Sequence, residues 1–429
     1  MKLVAIGIGS TIFGLSLLRD LFRTPVLQGA ELWLVDTDPV ALARMARFAE
    51  RLNEASDLEF DIGATTERST CLGGADYAVT SVAVDRIKTW KVDHELALRH
   101  GFGSVLSENG GPGGLSHTLR SVPLMVEIAR DIERLAPDAL LFNYTNPENR
   151  VCRAIQRYTS VRTIGLCHSV PEQIEWCARL LGRPRAQIDV RAAGLNHFTW
   201  FMSIRDARGD DDLMPQFLQQ SATATSGAGP LVRLLRERFG IHPAIDDTHI
   251  GEYLPWAADV VGTAGYDFDA HGRSSREDIG RMDAWASGSL AVEPLLAEPS
   301  EEARVEHSPA QVIADIIEGA TRRRPSFIVP NAALIEDLPA DSIVEVPGLI
   351  DAGVPGGVPV GALPAPIGAL VRHELAIQDL AVEAALEGSR DLALRALLID
   401  PVVTSARSAE GYLDDVLRAH RAYLPRFWS

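Results

Sequence analysis

The chain has 429 residues, of which 46% are hydrophobic and 23% are charged, a composition typical of a globular enzyme with one large or two smaller domains. Its net charge of −17 and the lack of a concentrated basic segment in the sequence argue against nucleic acid or an anionic membrane surface as a partner. Four cysteines without a disulfide spacing predict a reducing, cytoplasmic location, and no apolar run of about 18 residues predicts a membrane span.

A buried strand is predicted at the start of the chain, where the apolar residues 3–8 lead into a glycine turn. The helical periodicity of residues 11–22 follows directly. In dinucleotide-binding folds, glycines at such a turn let the backbone approach a pyrophosphate at the helix N-terminus. We therefore expect Gly7, Gly9 and Ser10 to bind a dinucleotide.

The next predicted strand, residues 32–35, ends in Asp36. An acidic residue at this place accepts a hydrogen bond from a ribose 2′-hydroxyl, which favours NAD over NADP. Strand and helix patterns then continue to alternate, with strands near 59–63 and 76–84 and a helix near 39–54. This alternation predicts a parallel sheet with right-handed crossovers.

Polar residues follow the next strands. Residues 85–91 are expected to form a loop, from which Lys91 could face a substrate, although a solvated surface turn is the alternative. A glycine-rich turn at residues 108–114 begins with Glu108 and precedes an amphipathic helix, 116–135. The buried strand 140–144 ends in a polar cluster that includes Asn146, which is typical of a site beside a nicotinamide.

A cysteine and two histidines come next. The apolar run 161–166 predicts a buried strand, and Cys167 and His168 follow it at the end where open α/β sheets bind ligands. Asn196-His197 ends a second strand-like run. A thiolate and imidazoles suit a borderline metal such as Mn, Fe, Co, Ni or Zn, whereas an ordinary buried thiol and a hydrogen-bonded histidine are the alternative.

Strand, turn and helix patterns continue to the end of the chain. Residues 327–360 predict short strands and turns, and residues 366–398 predict paired amphipathic helices. We divide the chain into a Rossmann dinucleotide-binding domain, 1–166, and a metal-binding catalytic and oligomerisation domain, 167–429.

Together, these segments resemble glycoside hydrolase family 4, the NAD- and divalent-metal-dependent glycosidases, over nearly the whole chain. Each motif is short, but their order and spacing are specific. The motifs are Gly7-Ile8-Gly9-Ser10, Glu108 with Gly111-Pro112-Gly113-Gly114, Arg120-Ser121-Val122-Pro123, Asn143-Tyr144-Thr145-Asn146-Pro147, Gly165-Leu166-Cys167-His168-Ser169-Val170, Gly194-Leu195-Asn196-His197, Gly251-Glu252-Tyr253-Leu254-Pro255, Val344-Glu345-Val346-Pro347 and Gly361-Ala362-Leu363-Pro364.

The resemblance implies an α/β fold in which an N-terminal Rossmann NAD-binding domain is followed by an α/β catalytic domain like that of lactate and malate dehydrogenases. It also implies an NAD-dependent hydrolysis outside the usual scheme of two carboxylates. NAD⁺ oxidises carbon 3 of the sugar, a base removes the proton on carbon 2, and the glycosidic oxygen leaves by elimination. Water then adds, NADH returns the hydride, and a divalent metal, most often Mn²⁺, polarises the carbonyl.

Residue roles are carried over onto matching positions. The resemblance implies that Cys167 and His197 are the metal ligands. His168 is expected beside the metal or the sugar, with orientation of Cys167 as its alternative role. Asn146 and Glu108 are expected to contact sugar hydroxyls or metal-bound water. Tyr253 is the expected base, because a dication beside a tyrosine lowers its pKa. Glu252 and Asp247 are alternatives for the base, and His249 is expected behind the groups that contact the sugar.

Substrate choice is expected to depend on Lys91 and on the residues after Cys167, including Ser169. Cys-His-Ser-Val resembles the α-galactosidase and α-glucosidase branch, which acts on unphosphorylated sugars. The basic and aromatic residues 88–91 instead suit an anionic sugar, such as a sulfoquinovoside or a glycuronide. Two other functions are alternatives: a plain NAD-dependent sugar or 2-hydroxyacid dehydrogenase, and a non-catalytic NAD sensor. The resemblance also implies a homodimer or homotetramer.

Overall fold

Strands and helices alternate through most of the first half of the chain. The computed structural model describes residues 1–209, 211–224, 227–297 and 308–428. The first-half elements are β1 (Lys2–Ile6), α1 (Phe13–Leu21), β2 (Glu31–Val35), α2 (Pro39–Ala55), β3 (Asp61–Thr65), β4 (Tyr77–Thr80), α3 (Arg86–Arg99), α4 (Gly111–Leu135), β5 (Leu140–Asn143), α5 (Glu148–Tyr158), β6 (Arg162–Gly165) and α6 (Ser169–Leu181). The exceptions to the alternation are that β4 follows β3 and α4 follows α3.

These six strands form a parallel sheet in the order β3-β2-β1-β4-β5-β6, which is the Rossmann order. Alternate residues of β1 enter two different hydrophobic clusters, Leu3 and Ala5 in one and Val4 and Ile6 in the other. The apolar runs are continuous because helices cover both faces of this sheet. The Rossmann unit predicted from the sequence is confirmed.

The second half extends the same sheet with antiparallel strands. The order continues β6-β9-β10-β7-β8, and β11 pairs with β10. Its elements are β7 (Ile188–Leu195), β8 (Phe198–Asp206), α7 (Met214–Thr223), α8 (Pro230–Phe239), α9 (Asp247–Ile250), α10 (Ala257–Val261), α11 (Phe268–Ala286), α12 (Glu293–Leu296), α13 (Pro309–Ile317), β9 (Arg322–Pro330), β10 (Ile343–Asp351), β11 (Val354–Gly357), α14 (Ala365–Glu387), α15 (Arg390–Ile399) and α16 (Ala406–Ala419).

One antiparallel bridge joins the two halves. Gly165, the last residue of β6, pairs with Ile328 of β9, so the sheet has eleven strands in all among the described residues. The sheet therefore runs through the proposed domain boundary at 166/167, which stays a prediction. None of the helices in the described ranges is long and apolar enough to cross a membrane.

The C-terminal helices pack on the first half. α14 lies against α4 and α5, and α16 lies against α3. The amphipathic helices predicted at 366–398 correspond to α14 and α15.

The loop predicted over residues 85–91 is wrong, because α3 begins at Arg86. Asp85 takes up a left-handed conformation (φ +44°), and the Thr89 hydroxyl donates to the carbonyl oxygens of Val84 and Arg86, which stabilises the first turn. Trp90 is buried and donates its indole N–H to the Leu106 carbonyl. The helix therefore starts where charge and aromatic content indicated a surface turn.

Candidate functional site

A cavity of about 350 Å³ opens at the carboxyl ends of β1, β2, β4 and β5. Open α/β sheets bind ligands at this edge, near the point where the strand order reverses. Four of the five residues predicted to bind the cofactor line the cavity, namely Gly7, Ser10, Asp36 and Asn146. Its other lining residues include Arg68, Ser81, Val82, Ala83, Arg86, His117 and Tyr144.

The glycine turn after β1 is shaped by close backbone contacts. Gly7 has φ +84°, and a Cβ there would lie 2.3 Å from the carbonyl oxygen of Ser81. A Cβ at Gly14 would lie 2.3 Å from the Ile8 carbonyl oxygen, so Gly14 lets α1 pack close to the turn. The dinucleotide fingerprint has a third glycine where this chain has Ile12, and Gly14, two residues later, permits the close helix packing instead.

Asp36 is tied to this turn. Its Oδ2 accepts a hydrogen bond from the Gly9 N–H (2.7 Å), and its Oδ1 accepts one from the Asp38 N–H (2.9 Å). Gly9 does not line the cavity but holds Asp36 in place at its edge. Asn146 lies at the other end of the cavity, and its buried Oδ1 has no hydrogen-bond partner in the described part of the chain. An orphaned buried oxygen at this place suits a bound polar ligand.

Cys167 and His197, the predicted metal ligands, are adjacent. The Sγ of Cys167 lies 3.3 Å from the Nε2 of His197. Cys167 follows β6 directly, and His197 occupies the two-residue turn between β7 and β8 with φ +63°. The side chain of its neighbour Asn196 donates to Glu345 of β10 (3.3 Å), which ties the turn to the sheet.

The chemistry of this pair fits a divalent cation. Burial lowers the pKa of His197 to about 3, with a further contribution from His249, so its imidazole is neutral and able to bind a metal. Burial raises the pKa of the Cys167 thiol, and Glu345 and Glu148 raise it further. An ion with a bond of about 2.3 Å to sulfur and about 2.0 Å to nitrogen would hold the two atoms at a similar spacing.

The described residues contain no group of three or more His, Cys, Asp or Glu side chains that could hold one metal ion.

Ser169, rather than His168, orients the cysteine. The Cys167 thiol donates to the Ser169 hydroxyl over 3.3 Å. His168 instead stacks on Tyr144, with ring centroids 5.6 Å apart, and burial lowers its pKa. The interpretation that His168 orients Cys167 is not supported by these contacts, but its partner Tyr144 lines the cavity.

Glu108 is buried at a corner formed by three segments. Its Oε1 accepts a hydrogen bond from Arg86 (2.5 Å), its backbone N–H donates to Glu252, and its carbonyl oxygen accepts from His117 (2.9 Å). Burial tends to raise the pKa of Glu108, but Arg86 and then His249 outweigh this effect and keep the pKa lowered. Glu108 is thus a buried carboxylate that is ionised at neutral pH.

His249 and Glu252, next to this corner, both have shifted pKa values. Burial is the largest single influence and lowers the pKa of His249, but the hydrogen bond to Asp246 (2.8 Å) and the charges of Asp246, Glu108 and Glu252 together outweigh it and raise the pKa to about 9. Its ring lies 4.5 Å from that of His197. Burial raises the pKa of Glu252 to about 8, and Glu252 also accepts from the Asn109 N–H (2.9 Å). His249 therefore lies near both His197 and Glu108, and its place behind the groups that contact the sugar stays a prediction.

The residues proposed as the base differ in their surroundings. Tyr253 is buried and stacks on Phe198, with centroids 4.8 Å apart. Burial raises the pKa of Tyr253 well above its usual range, and Glu252 and Glu374 raise it further, so the lowered pKa expected from the sequence is not present in the protein alone. Asp247 accepts the N–H groups of Leu231 and Val232 at the start of α8, a structural role.

Lys91 does not line the cavity. It is exposed on α3, so its assignment to substrate binding finds no support in the cavity and stays a prediction. The cation in this region is Arg86, which was not singled out from the sequence. Its guanidinium is half exposed, lines the cavity, and lies 5.4 Å from the centroid of the Trp90 ring. Only a correct start for α3 would have identified it.

Two family models match the chain in succession. The model described as "Family 4 glycosyl hydrolase" matches residues 2–182, and the one described as "Family 4 glycosyl hydrolase C-terminal domain" matches residues 192–403. Together they cover most of the chain.

Individual relatives agree over almost the full length. The chain is 30% identical to an α-glucosidase of Erwinia rhapontici, with 99% of this chain and 98% of that protein covered. It is 28% identical to an α-galactosidase of Bacillus subtilis, with 99% of both covered. A solved 6-phospho-α-glucosidase from gut microorganisms, in complex with NAD and Mn²⁺, superimposes with a TM-score of 0.82 at 21% identity and covers 99% of both chains. At this identity the last comparison shows the fold alone, and it agrees with the predicted fold class.

Proposed function

The chain belongs to the family 4 glycosyl hydrolases, and on this premise we propose that it hydrolyses unphosphorylated α-glycosides, α-galactosides first among them, with NAD⁺ in the cavity and a divalent cation such as Mn²⁺ on Cys167 and His197. The observation that carries the proposal is the 3.3 Å approach of the Cys167 thiol to the His197 imidazole beside a dinucleotide-type cavity. When bound, NAD⁺ supplies a hydride acceptor and the cation supplies a Lewis acid next to the sugar.

Different residues of the site would bind the dinucleotide and the sugar. Gly7, Ser10 and Asp36 would bind the dinucleotide, and Asn146 would reach the sugar from the nicotinamide end. Glu108 would accept hydrogen bonds from sugar hydroxyls, because a buried carboxylate held by Arg86 has acceptor capacity to spare.

The base that removes the proton on carbon 2 is proposed to be Tyr253, with Glu252 as the alternative. A pKa of about 8 allows Glu252 to accept and release a proton near neutral pH, whereas burial keeps Tyr253 protonated. Exchange of the carbon 2 proton with deuterated solvent, measured for Tyr253→Phe and Glu252→Gln, separates the two. Loss of exchange in one variant and retention in the other identifies the base.

Charge pairing in the cavity favours an unphosphorylated sugar. Of the cavity-lining residues that the structure describes, the two arginines already face carboxylates, Arg68 with Asp131 (2.8 Å) and Arg86 with Glu108. Burial lowers the pKa of His117 to about 4, so this side chain is neutral. A phosphate would therefore meet no unpaired cation among these groups.

An anionic sugar, such as a glycuronide or sulfoquinovoside, is the second candidate. The half-exposed guanidinium of Arg86 is the observation for it, but a carboxylate or sulfonate would have to displace Glu108 from this arginine, which ranks the anionic sugar second. A plain NAD-dependent dehydrogenase is disfavoured by the family to which the chain belongs. The cytoplasmic location and the homo-oligomeric state stay predictions.

The deciding experiment is a panel of nitrophenyl glycosides with both anomers of neutral, uronic, sulfonated and phosphorylated sugars, each with and without NAD⁺ and Mn²⁺. We expect nitrophenol release only from neutral α-glycosides and only with both cofactors. Release from uronic or sulfonated sugars alone would establish the second candidate. Accumulation of NADH on free sugars without nitrophenol release would contradict glycoside hydrolysis.

A further inference from the structure

The C-terminal segment, residues 404–428, extends past residue 403, where the second family match ends. It contains α16 and two short 3₁₀ turns, Arg421–Tyr423 and Pro425–Phe427. Three of its polar side chains form hydrogen bonds with two parts of the chain. One part is α3 and the residue before it, next to Arg86; the other is the glycine-rich segment after Glu108. These contacts run from Tyr412 to Pro112, from His420 to Asp93, and from Tyr423 to Asp85.

Tyr412 fixes the glycine-rich segment after Glu108. Its hydroxyl donates to the Pro112 carbonyl over 2.8 Å, and its ring is fully buried. The same segment packs tightly on its other side, since a Cβ at Gly113 would lie 2.3 Å from the Cβ of Ser107. The backbone that follows Glu108 is thus held between the C-terminal segment and its own preceding residues.

Tyr423 fixes the residue before Arg86. Its hydroxyl donates to the Asp85 carboxylate. Asp85 has φ +44° and does not cap α3 with its own side chain; its Oδ2, which also lies 4.0 Å from the Nζ of Lys88, accepts from the C-terminal segment instead. The preceding residues 81–83 line the cavity, and the following residue donates to Glu108.

His420 joins the helices behind these two sites. The Oδ1 of Asp93, on α3, accepts hydrogen bonds from His420 (2.8 Å), from Ser116 (2.6 Å) and from Arg120 (3.1 Å), the last two on α4. All four side chains are buried. The C-terminal segment therefore contacts α3, α4 and the residues at the start of both helices.

We propose that residues 404–428 form a clamp that sets the Arg86–Glu108 geometry, with Tyr423 as a positioning residue for sugar binding. The sugar-binding part of this inference rests on the proposed function; the restraint on residues 81–86 and 107–114 does not. The clamp acts through hydrogen bonds to backbone and carboxylate groups that do not themselves contact the sugar.

Tyr423→Phe tests the clamp, because it removes one hydrogen bond while keeping the ring. We expect the KM for the glycoside to rise about fivefold while kcat stays within about twofold, as follows from losing one partly exposed hydrogen bond that acts on binding. Asp85→Asn keeps an acceptor for Tyr423 and suits the left-handed backbone, so its KM should stay near that of the wild type. Tyr158→Phe, at the far end of α5, is the matched control.

A double-mutant cycle makes the test specific. Asp85→Gly removes the acceptor and tolerates the positive φ, so Tyr423→Phe should add nothing to its effect on KM. Additive effects, or an unchanged KM in Tyr423→Phe, would overturn the clamp while leaving glycoside hydrolysis intact.

Hydrogen–deuterium exchange provides a readout that needs no substrate. We expect faster exchange at residues 81–86 and 107–114 in Tyr423→Phe than in the wild type and in Tyr158→Phe. If the wild type cleaves no glycoside but this difference appears, the proposed function fails and the clamp stands. Unchanged exchange in both segments would overturn the clamp whatever the substrate panel gives.

Discussion

The Cys167–His197 pair and the Glu108 corner lie in neighbouring regions, and their side chains are positioned in different ways. Cys167 and His197 lie at the ends of strands, are neutral in the protein alone, and approach each other because the sheet places them there. Glu108 is charged; its side chain accepts a hydrogen bond from Arg86, and its backbone N–H donates one to Glu252 of a distant segment. A site can thus combine ligands fixed by the sheet with a carboxylate whose position depends on individual polar contacts.

We expect the largest loss of activity from substitution of Cys167 or His197. Cys167→Ser or His197→Ala should lower kcat/KM roughly a thousandfold or more, because the loss of a Lewis acid is worth about 4 kcal/mol. Binding of NAD⁺, measured by calorimetry, should be little changed, and unfolding should stay cooperative. Cys71→Ser, which keeps its hydrogen bond to the Arg68 carbonyl, is the matched control. Full activity in Cys167→Ser would contradict the metal assignment.

The Glu108 corner should respond less strongly and with a change in pH dependence. Arg86→Met removes the cation that lowers the pKa of Glu108, so the carboxylate stays protonated to a higher pH. We expect kcat/KM to fall about 30-fold at pH 7 and its acidic limb to move to higher pH. Arg44→Met, which breaks an ion pair with Asp283 away from the site, should do neither. An unshifted acidic limb would mean that Arg86 does not control Glu108.

His249, between the two regions, should make stability depend on pH. Its pKa of about 9 when folded exceeds the ordinary value of 6.5, so its stabilising contribution is complete below pH 6.5 and is lost as the pH rises through 9. We expect the free energy of unfolding to fall by about 2 kcal/mol more in the wild type than in His249→Gln between pH 6.5 and 9.5. Parallel profiles from urea denaturation would show that the Asp246–His249 pair is not responsible.

The smallest effect is expected outside both regions. Lys91→Ala should leave kcat/KM and the free energy of unfolding within about 0.5 kcal/mol of the wild type, because Lys91 is exposed on α3. A loss of more than tenfold on an anionic glycoside alone would restore Lys91 to the substrate site and would favour the second candidate function.

What could be predicted from the sequence follows the same division. Cys167 and His197 each follow an apolar run, which left an ordinary buried thiol and histidine as the alternative; their assignment as metal ligands came from the family resemblance and stays a prediction. Gly7 and Asp36 follow parallel strands, whose carboxyl ends lie at one edge of a sheet, so strand pattern and chain order were sufficient to place them at the cavity.

The Glu108 corner could not be predicted in full, since its contacts join segments far apart in the chain. Glu252 and the N–H of Asn109 are brought together by tertiary packing alone. Arg86 was missed and Lys91 was chosen because the start of α3 depends on the left-handed Asp85 and on the burial of Trp90, neither of which the sequence pattern indicated. The burial of Tyr253 against Phe198, which raises its pKa in the protein without a metal, could not be seen in the sequence either.

The bridge between β6 and β9 has a consequence for biosynthesis. Until the ribosome has produced Ile328, the nascent Rossmann unit ends in β6, whose outer edge has no strand beside it. The NAD-binding cavity can form at that stage, because its residues come from the first 150 positions, whereas the strand that leads to Cys167 is still an unprotected edge. A ligand bound in this cavity would stabilise such an intermediate by mass action before the edge is covered.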